Sequence, residues 1–185
     1  MFAELCCQSN FTFLTGASHP EEFVHQAHQL GYAGLGLTDE ASVTGSVRAH
    51  LAAHAVNMPL VHGSVFQLQE GFEVTLLAPN REGWGALCQL ISLSRRRAMK
   101  GQYVLSHRDL TGLSDDLLCL WHPNPYATNW TDALNCLQYR FKGRLWIAAH
   151  LPENGHQALW AERIDLTAFE WNLPVIATMR PLMHS

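Results

Sequence analysis

At 185 residues, with 48 % hydrophobic and 15 % charged residues, the chain has the make-up of one globular domain with a sizeable core, which excludes a disordered or low-complexity protein. A net charge of −4 excludes a domain that wraps nucleic acid by bulk electrostatics, and no run of about 18 apolar residues offers a membrane span. The start, MFAELCCQSN, lacks the basic and apolar regions of a signal peptide, and the five cysteines, in no zinc-ribbon spacing, fit a reduced compartment, so a cytoplasmic protein is expected.

In chain order, FAELC reads as the first strand. Ser18, Pro20 and Glu21 then make a helix start, with Ser18 as N-cap, proline in the first turn and Glu21 in capping-box position. The helix PEEFVHQAHQL stops at Gly31, a left-handed terminator. AGLGLT is the second strand, closed by Asp39 and Glu40, and TGSVRAHLAAHAV the second helix. PLVHG and SVFQL are expected as separate strands, followed by the strand EVTLLA and the helix REGWGALCQLISLSRRR. Ser106 and Asp109 form a further capping box. The strand LLCLW, the helix TDALNCLQYRF, the strand LWIAAHL, the helix QALWAERIDLTAFEW and the strand LPVIAT complete the pattern. About seven βα-type units predict an α/β fold of parallel strands with covering helices, either a barrel or an open doubly wound sheet.

In both architectures ligand sites gather at the C-terminal ends of the strands. Those ends carry Cys6 and Gln8, Asp39 and Glu40, Ser64 and Val65, His122, His150, and the tail from Thr178 to His184. A phosphate-hydrolysing metal centre needs several His, Asp or Glu ligands converging on two or three ions. This set is too short for one: Val65 and Leu182 are inert, Arg180 repels a cation and Gln8 is a poor ligand. A rebuilt zinc site from Cys6, Cys7, Glu40, His122, His150 and His184 is the alternative, but adjacent strand residues point to opposite faces. The pairs His25/His28 and His50/His54 have chelating spacing without the glutamate of a His-Glu-x-x-His motif, and read as packing or surface residues. The cluster Arg95, Arg96, Arg97 and Lys100 reads either as cations at a helix C-terminus or as a local phosphate or partner contact. No nucleophile with a base and no glycine-rich phosphate loop stands out.

The segments running from AELCCQSNFTFLTGASHPEEF to VRAH, together with PLVHGSVFQL, LLAPNREGWGALCQLISLSRRRAMKGQY and GRLWIAAHL…LPVIATMRPLMHS, resemble the PHP (polymerase and histidinol phosphatase) domain of bacterial C-family DNA polymerases, most closely the error-prone DnaE2/ImuC type. The resemblance covers essentially the whole chain. It implies a distorted seven-stranded (β/α) barrel and, in active members, a three-metal cluster. In this chain Cys6-Cys7-Gln8 stands where the family has His-x-His, and Thr15 where it has an acidic residue. Glu40 follows Asp39 where a histidine is usual, Val65 replaces the glutamate of Gly-x-Glu, and Glu73 replaces a histidine. The closing Gly-Asp-x-His reads Met179-Arg180-Pro181-Leu182.

What the resemblance then implies is a catalytically silent PHP module spanning residues 1–185, with a polymerase core expected to follow but absent from this chain. No metal or other cofactor is expected, with zinc or manganese at a rebuilt phosphoesterase or 3′–5′ exonuclease site as the alternative; magnesium belongs to the missing polymerase core. Expected partners are that core, ImuA- and ImuB-like proteins, and DNA through the full-length protein, with no membrane. Without metal the barrel centre needs other support, and Arg180 is expected to pair with Asp39 or Glu40. The residual polar site comprises Asp39, Glu40, His122, His150 and His184, and some apolar surface is expected to be exposed.

Overall fold

The computed structural model describes residues 2–113, 115–151 and 155–184. Strand β1 (Ala3–Cys7) leads into helix α1 (Pro20–Gln29), followed by β2 (Gly34–Leu37) and α2 (Ser46–Ala55). Then come β3 (Leu60–Gln67), β4 (Glu73–Ala78), α3 (Arg81–Arg96), a 3-10 turn at His107–Leu110 and β5 (Leu118–His122). Helix α4 (Trp130–Arg140), β6 (Leu145–Ala149), α5 (Gln157–Trp171) and β7 (Val175–Ala177) complete the order. The expected PLVHG and SVFQL strands are one: Gly63 and Ser64 continue the ladder with β4 instead of breaking it.

The helix starts show how local chemistry sets the elements. At α1 the N-cap is His19, not Ser18, and the backbone N–H of His19 donates to the Glu22 carboxylate at 2.7 Å, so Glu22 rather than Glu21 closes the box. Ser18 is drawn away because its hydroxyl accepts the His184 N–H at 2.8 Å. Gly31 at φ +70° ends this helix as expected. At α3, Asn80 Oδ1 accepts the Gly83 N–H at 2.8 Å, and the buried Ala86, Leu87, Leu90 and Ser94 fall on one helical face. Ser106 and Asp109 form the capping box expected of them, at the 3-10 turn.

All seven strands lie in one sheet in sequence order. The expectation of uniformly parallel strands fails at its middle. β4 runs antiparallel to both β3 and β5, while β1–β2–β3 and β5–β6–β7 pair in parallel. The turn between β3 and β4 is too short for a crossover helix, so the chain can only return antiparallel. The reversal brings Glu73, the first residue of β4, level with Gln67 at the end of β3 and His122 at the end of β5. The sheet curls, and its two faces alternate by residue. The outer face buries Phe66, Val74, Leu76, Cys119, Trp121 and Ile147 under α3, α4 and α5, where Trp121, Trp130 and Trp160 meet edge-to-face at 5.3 and 5.2 Å. Cys7, Leu35 and Leu37 pack under α1 and α2 with Phe23, Val24 and Ala49. The inner face has an apolar floor of Cys6, Leu77, Leu120 and Ala148. Gly36 is required where β2 meets β1, since a Cβ there would lie 2.5 Å from the Leu5 carbonyl oxygen.

No ladder joins β1 to β7; the chain ends are joined through Glu4. This buried carboxylate, 1 % exposed, accepts the Cys6 N–H at 2.9 Å, the Thr178 hydroxyl at 2.6 Å and the Met179 N–H at 2.7 Å. Beyond it the Gln8 N–H donates to the Pro181 carbonyl at 3.2 Å, and Ala17 N–H to that of Leu182 at 2.8 Å. Among the described residues no helix is long and apolar enough to cross a membrane. Replacing Glu4 by Ala strands two backbone donors and a hydroxyl, and is expected to cost about 2–4 kcal/mol of stability in urea unfolding. A loss below about 0.5 kcal/mol would show that the clamp is incidental.

Candidate functional site at the strand ends

Alternation carries the floor of the curled sheet upward into a polar layer. On β4 the inward residues are Leu77, Thr75 and Glu73, and on β5 they are Leu118, Leu120 and His122 in matching register. Thr178, Arg180 and His150 reach the same level from the segments after β7 and β6. Arg180 and His150 border a cleft of about 370 Å³, lined also by Gln67, Glu73, His122 and Asn124.

Arg180 and Glu73 form the ion pair of this layer, 2.7 Å apart. The expected partners of Arg180 are otherwise engaged, which corrects the pairing inferred from sequence. Asp39, 1 % exposed, accepts the Ser9 N–H at 2.7 Å, the Ser9 hydroxyl at 2.9 Å and the Thr12 hydroxyl at 2.9 Å. Glu40 accepts the Tyr103 hydroxyl at 2.7 Å. The loop after β1 therefore reaches Asp39 first, and Arg180 turns to the carboxylate that the reversed strand presents. Arg180 does so from φ +50°, a left-handed conformation costing about 1–2 kcal/mol for a residue with a Cβ. Its N–H donates to Thr178 Oγ1 at 3.1 Å, so the strained turn is tied to the Glu4 clamp.

His122, 6 % exposed, pairs through Nε2 with Thr75 Oγ1 at 2.8 Å, while Nδ1 lies 4.0 Å from Glu73 Oε1 with no hydrogen-bond partner. Burial, aided by the positive charges of Arg180 and His150, pushes its pKa well below the ordinary value. Burial also raises Glu73, against the pull of Arg180. Asp39 is raised by burial despite its hydrogen bonds from Ser9 and Thr12. The Cys6 thiol faces Thr178 and Thr75 and is pushed up to about 12, chiefly by burial and then by Glu4.

The other sequence-derived positions scatter. Thr15 is exposed in the loop after β1, while Val65 stays on the inward face, buried on β3 opposite Thr75 with a bridge to Glu40. Leu182 is 41 % exposed. His184 sits at the start of α1, with Nδ1 at 2.7 Å from Ser18 Oγ and 3.7 Å from Glu22 Oε2, away from His122 and His150. Cys7 turns to the outer core while Cys6 faces inward, as strand alternation demands. The His25/His28 pair is exposed on α1; His50 stacks near His62 at 6.1 Å. Of the basic cluster, Arg95 donates to the carbonyls of Ala41 and Glu40 at 3.1 Å, and Arg97 pairs with Asp109 at 2.6 Å. Sequence reasoning missed Glu4, Ser9, Thr12, Thr75 and Tyr103; a glutamate in the apolar strand AELCC was the one visible signal.

This donor set does not fit a metal cluster. Among the described residues no three His, Cys, Asp or Glu side chains group where they could hold an ion. Glu73 lies in an ion pair with a guanidinium, Asp39 and Glu40 accept hydroxyls, and the inward thiol stays protonated.

The chain is thus a curled seven-stranded α/β sheet with one reversed strand and a polar layer at its strand ends. The sequence profile of the PHP domain family matches residues 4–160, and the chain belongs to that family. It is 43 % identical to an error-prone DNA polymerase of Bordetella parapertussis and 41 % identical to one of Vibrio vulnificus, each alignment covering 99 % of this chain. The chain spans only 19 % and 18 % of the lengths of those relatives. Among solved structures it resembles a protein assigned as a metal-dependent phosphoesterase from Bifidobacterium adolescentis, with TM-score 0.69 and 12 % identity over 100 % of this chain and 88 % of the other. An amidohydrolase from Chromobacterium violaceum, solved with sulfate and no metal, follows at TM-score 0.66 and 13 % identity over 99 % and 88 %.

Because His122 and His62 are held neutral by burial, the unfolded chain takes up their protons first as the pH falls below about 6.5. These two groups therefore contribute a decline in stability from about pH 7 toward pH 5, at up to about 1.4 kcal/mol per pH unit each, while Glu73 and Asp39, both raised by burial, contribute in the opposite sense. His122→Gln should shallow that slope in urea titrations at several pH values; an unchanged slope would remove His122 from the account.

Proposed function

We propose that this chain is the PHP module of an error-prone C-family DNA polymerase of the DnaE2/ImuC type, that it has no phosphoesterase activity of its own, and that it serves as a scaffold for the polymerase core. The observation that carries the reading is the Arg180–Glu73 pair at 2.7 Å, a fixed cation among residues that in a metal-dependent hydrolase would have to bind ions. The relatives named above support the polymerase assignment. In this reading the full-length protein works in the cytoplasm, copies damaged DNA with magnesium held in its polymerase core, and cooperates with ImuA- and ImuB-like proteins.

A scaffold needs surface to meet the rest of the polymerase. Phe13 and Leu14, 83 % and 92 % exposed, stand on the loop after β1, and Met179, Leu182 and Met183 are exposed on the tail whose backbone bonds that same loop. This apolar rim is the face offered to the core.

The test is metal analysis of the purified chain, with hydrolysis assays on a bis-aryl phosphodiester and on 3′-labelled single-stranded DNA in added manganese or zinc. Less than one equivalent of tightly bound metal and no hydrolysis above background are expected. Metal-dependent hydrolysis that disappears in Glu73→Gln or His122→Ala would instead establish a phosphoesterase or 3′–5′ exonuclease with a rebuilt zinc or manganese site.

A further inference from the structure

We propose that Arg180 is the resident cation of this PHP fold: its guanidinium supplies the positive charge that bound metal ions would otherwise place among the inward polar groups, so the module is built to be stable without divalent metal. The inference rests on membership of the PHP family and on the misfit between the donor set and a metal cluster.

Three observations converge on it. First, the polar layer is continuous. Glu4 accepts from Thr178, Thr178 Oγ1 accepts the Arg180 N–H, Arg180 pairs with Glu73, Glu73 approaches His122 Nδ1 at 4.0 Å, and His122 bonds Thr75. Removing the guanidinium leaves Glu73 without its ion-pair partner beside the orphaned His122 Nδ1. Second, Arg180 reaches this position from a left-handed backbone conformation, at φ +50°. Strain of this kind persists only where the surroundings over-determine it, and here the Thr178 hydroxyl and the Gln8–Pro181 backbone bond do so. Third, Glu73 reaches the rim only because β4 is reversed, and at 25 % side-chain exposure it is desolvated enough to need a partner. The geometry thus holds a carboxylate and an imidazole in place and closes them with a covalently attached cation.

A bound metal adds stability in proportion to its occupancy, so its removal by a chelator lowers the melting temperature. A guanidinium on the chain cannot be removed this way. It behaves instead as one member of a coupled pair, whose deletion is relieved when the partner charge is deleted as well.

The test is thermal unfolding of the chain and of Arg180→Met, Glu73→Gln, the double variant and Arg180→His, each in EDTA, zinc or manganese. The native chain is expected to melt within about 1 °C of the same temperature in all three solutions. Arg180→Met should melt roughly 3–8 °C lower in EDTA, and adding Glu73→Gln should recover at least half of that loss. Arg180→His, which sets an imidazole beside Glu73 and His122, should gain a zinc-dependent rise of several degrees. A native melting temperature that falls in EDTA, additive losses in the double variant, or no zinc response in Arg180→His would each overturn the proposal. Should Arg180→Met not fold, a folded double variant is the rescue, and an unfolded one overturns it. Hydrolysis by the native chain would refute catalytic silence while leaving the coupling between Arg180 and Glu73 to be read separately, so the two ideas fail independently.

Discussion

A buried carboxylate stands at the centre of the join between the two ends of this sheet. Because β1 and β7 share no ladder, the first and last strands meet through Glu4, which takes one donor from its own strand and two from the segment after β7. Charge-assisted bonds of this kind are about twice as strong as neutral ones, and in a dry interior their loss leaves donors with no water to turn to. The placing of Arg180 in the cleft follows from that join. The Thr178 hydroxyl held by Glu4 sets the turn at Arg180, and the turn sends the guanidinium toward Glu73.

The layer above the clamp meets its buried and half-buried carboxylates from within the chain. In a metal-dependent hydrolase, cations bring carboxylates and imidazoles close and pay for their desolvation. Here the same problem is solved by other means. Asp39 is satisfied by two short side chains and a backbone amide from the loop after β1, Glu40 by a tyrosine, and Glu73 by an arginine. Each solution is local, drawn from side chains and backbone of the chain itself.

Much of the fold was legible in the sequence. Apolar strands between amphipathic helices, Gly31 after α1 and the capping box at Ser106 all carry short-range chemistry that a reader can follow residue by residue. The direction of β4 was not legible, since EVTLLA contains nothing that distinguishes up from down; only the short turn before it decides. The join at Ser18 was misread because its hydroxyl answers to His184, a partner at the far end of the chain. The site suffered more. The partner of Arg180 depended on the reversed strand, and Glu4 carried no assigned role in an otherwise apolar stretch. Long-range pairing of charges is what a linear reading sees least well.

The reversed strand also divides the sheet by chain separation. The β3–β4 ladder joins residues from Gln67–Glu73 to His62–Ala78, neighbours along the chain, and is closed by a short turn. The bond from Thr178 to Glu4 spans 174 positions. Loop-closure entropy grows with the logarithm of that distance, which makes the terminal join about 2 kcal/mol more costly to form than the widest pair of the hairpin. The antiparallel centre is thus the inexpensive part of the sheet, and the ends, where the polar layer is assembled, depend on contacts that become favourable only once the strands between them are already in place.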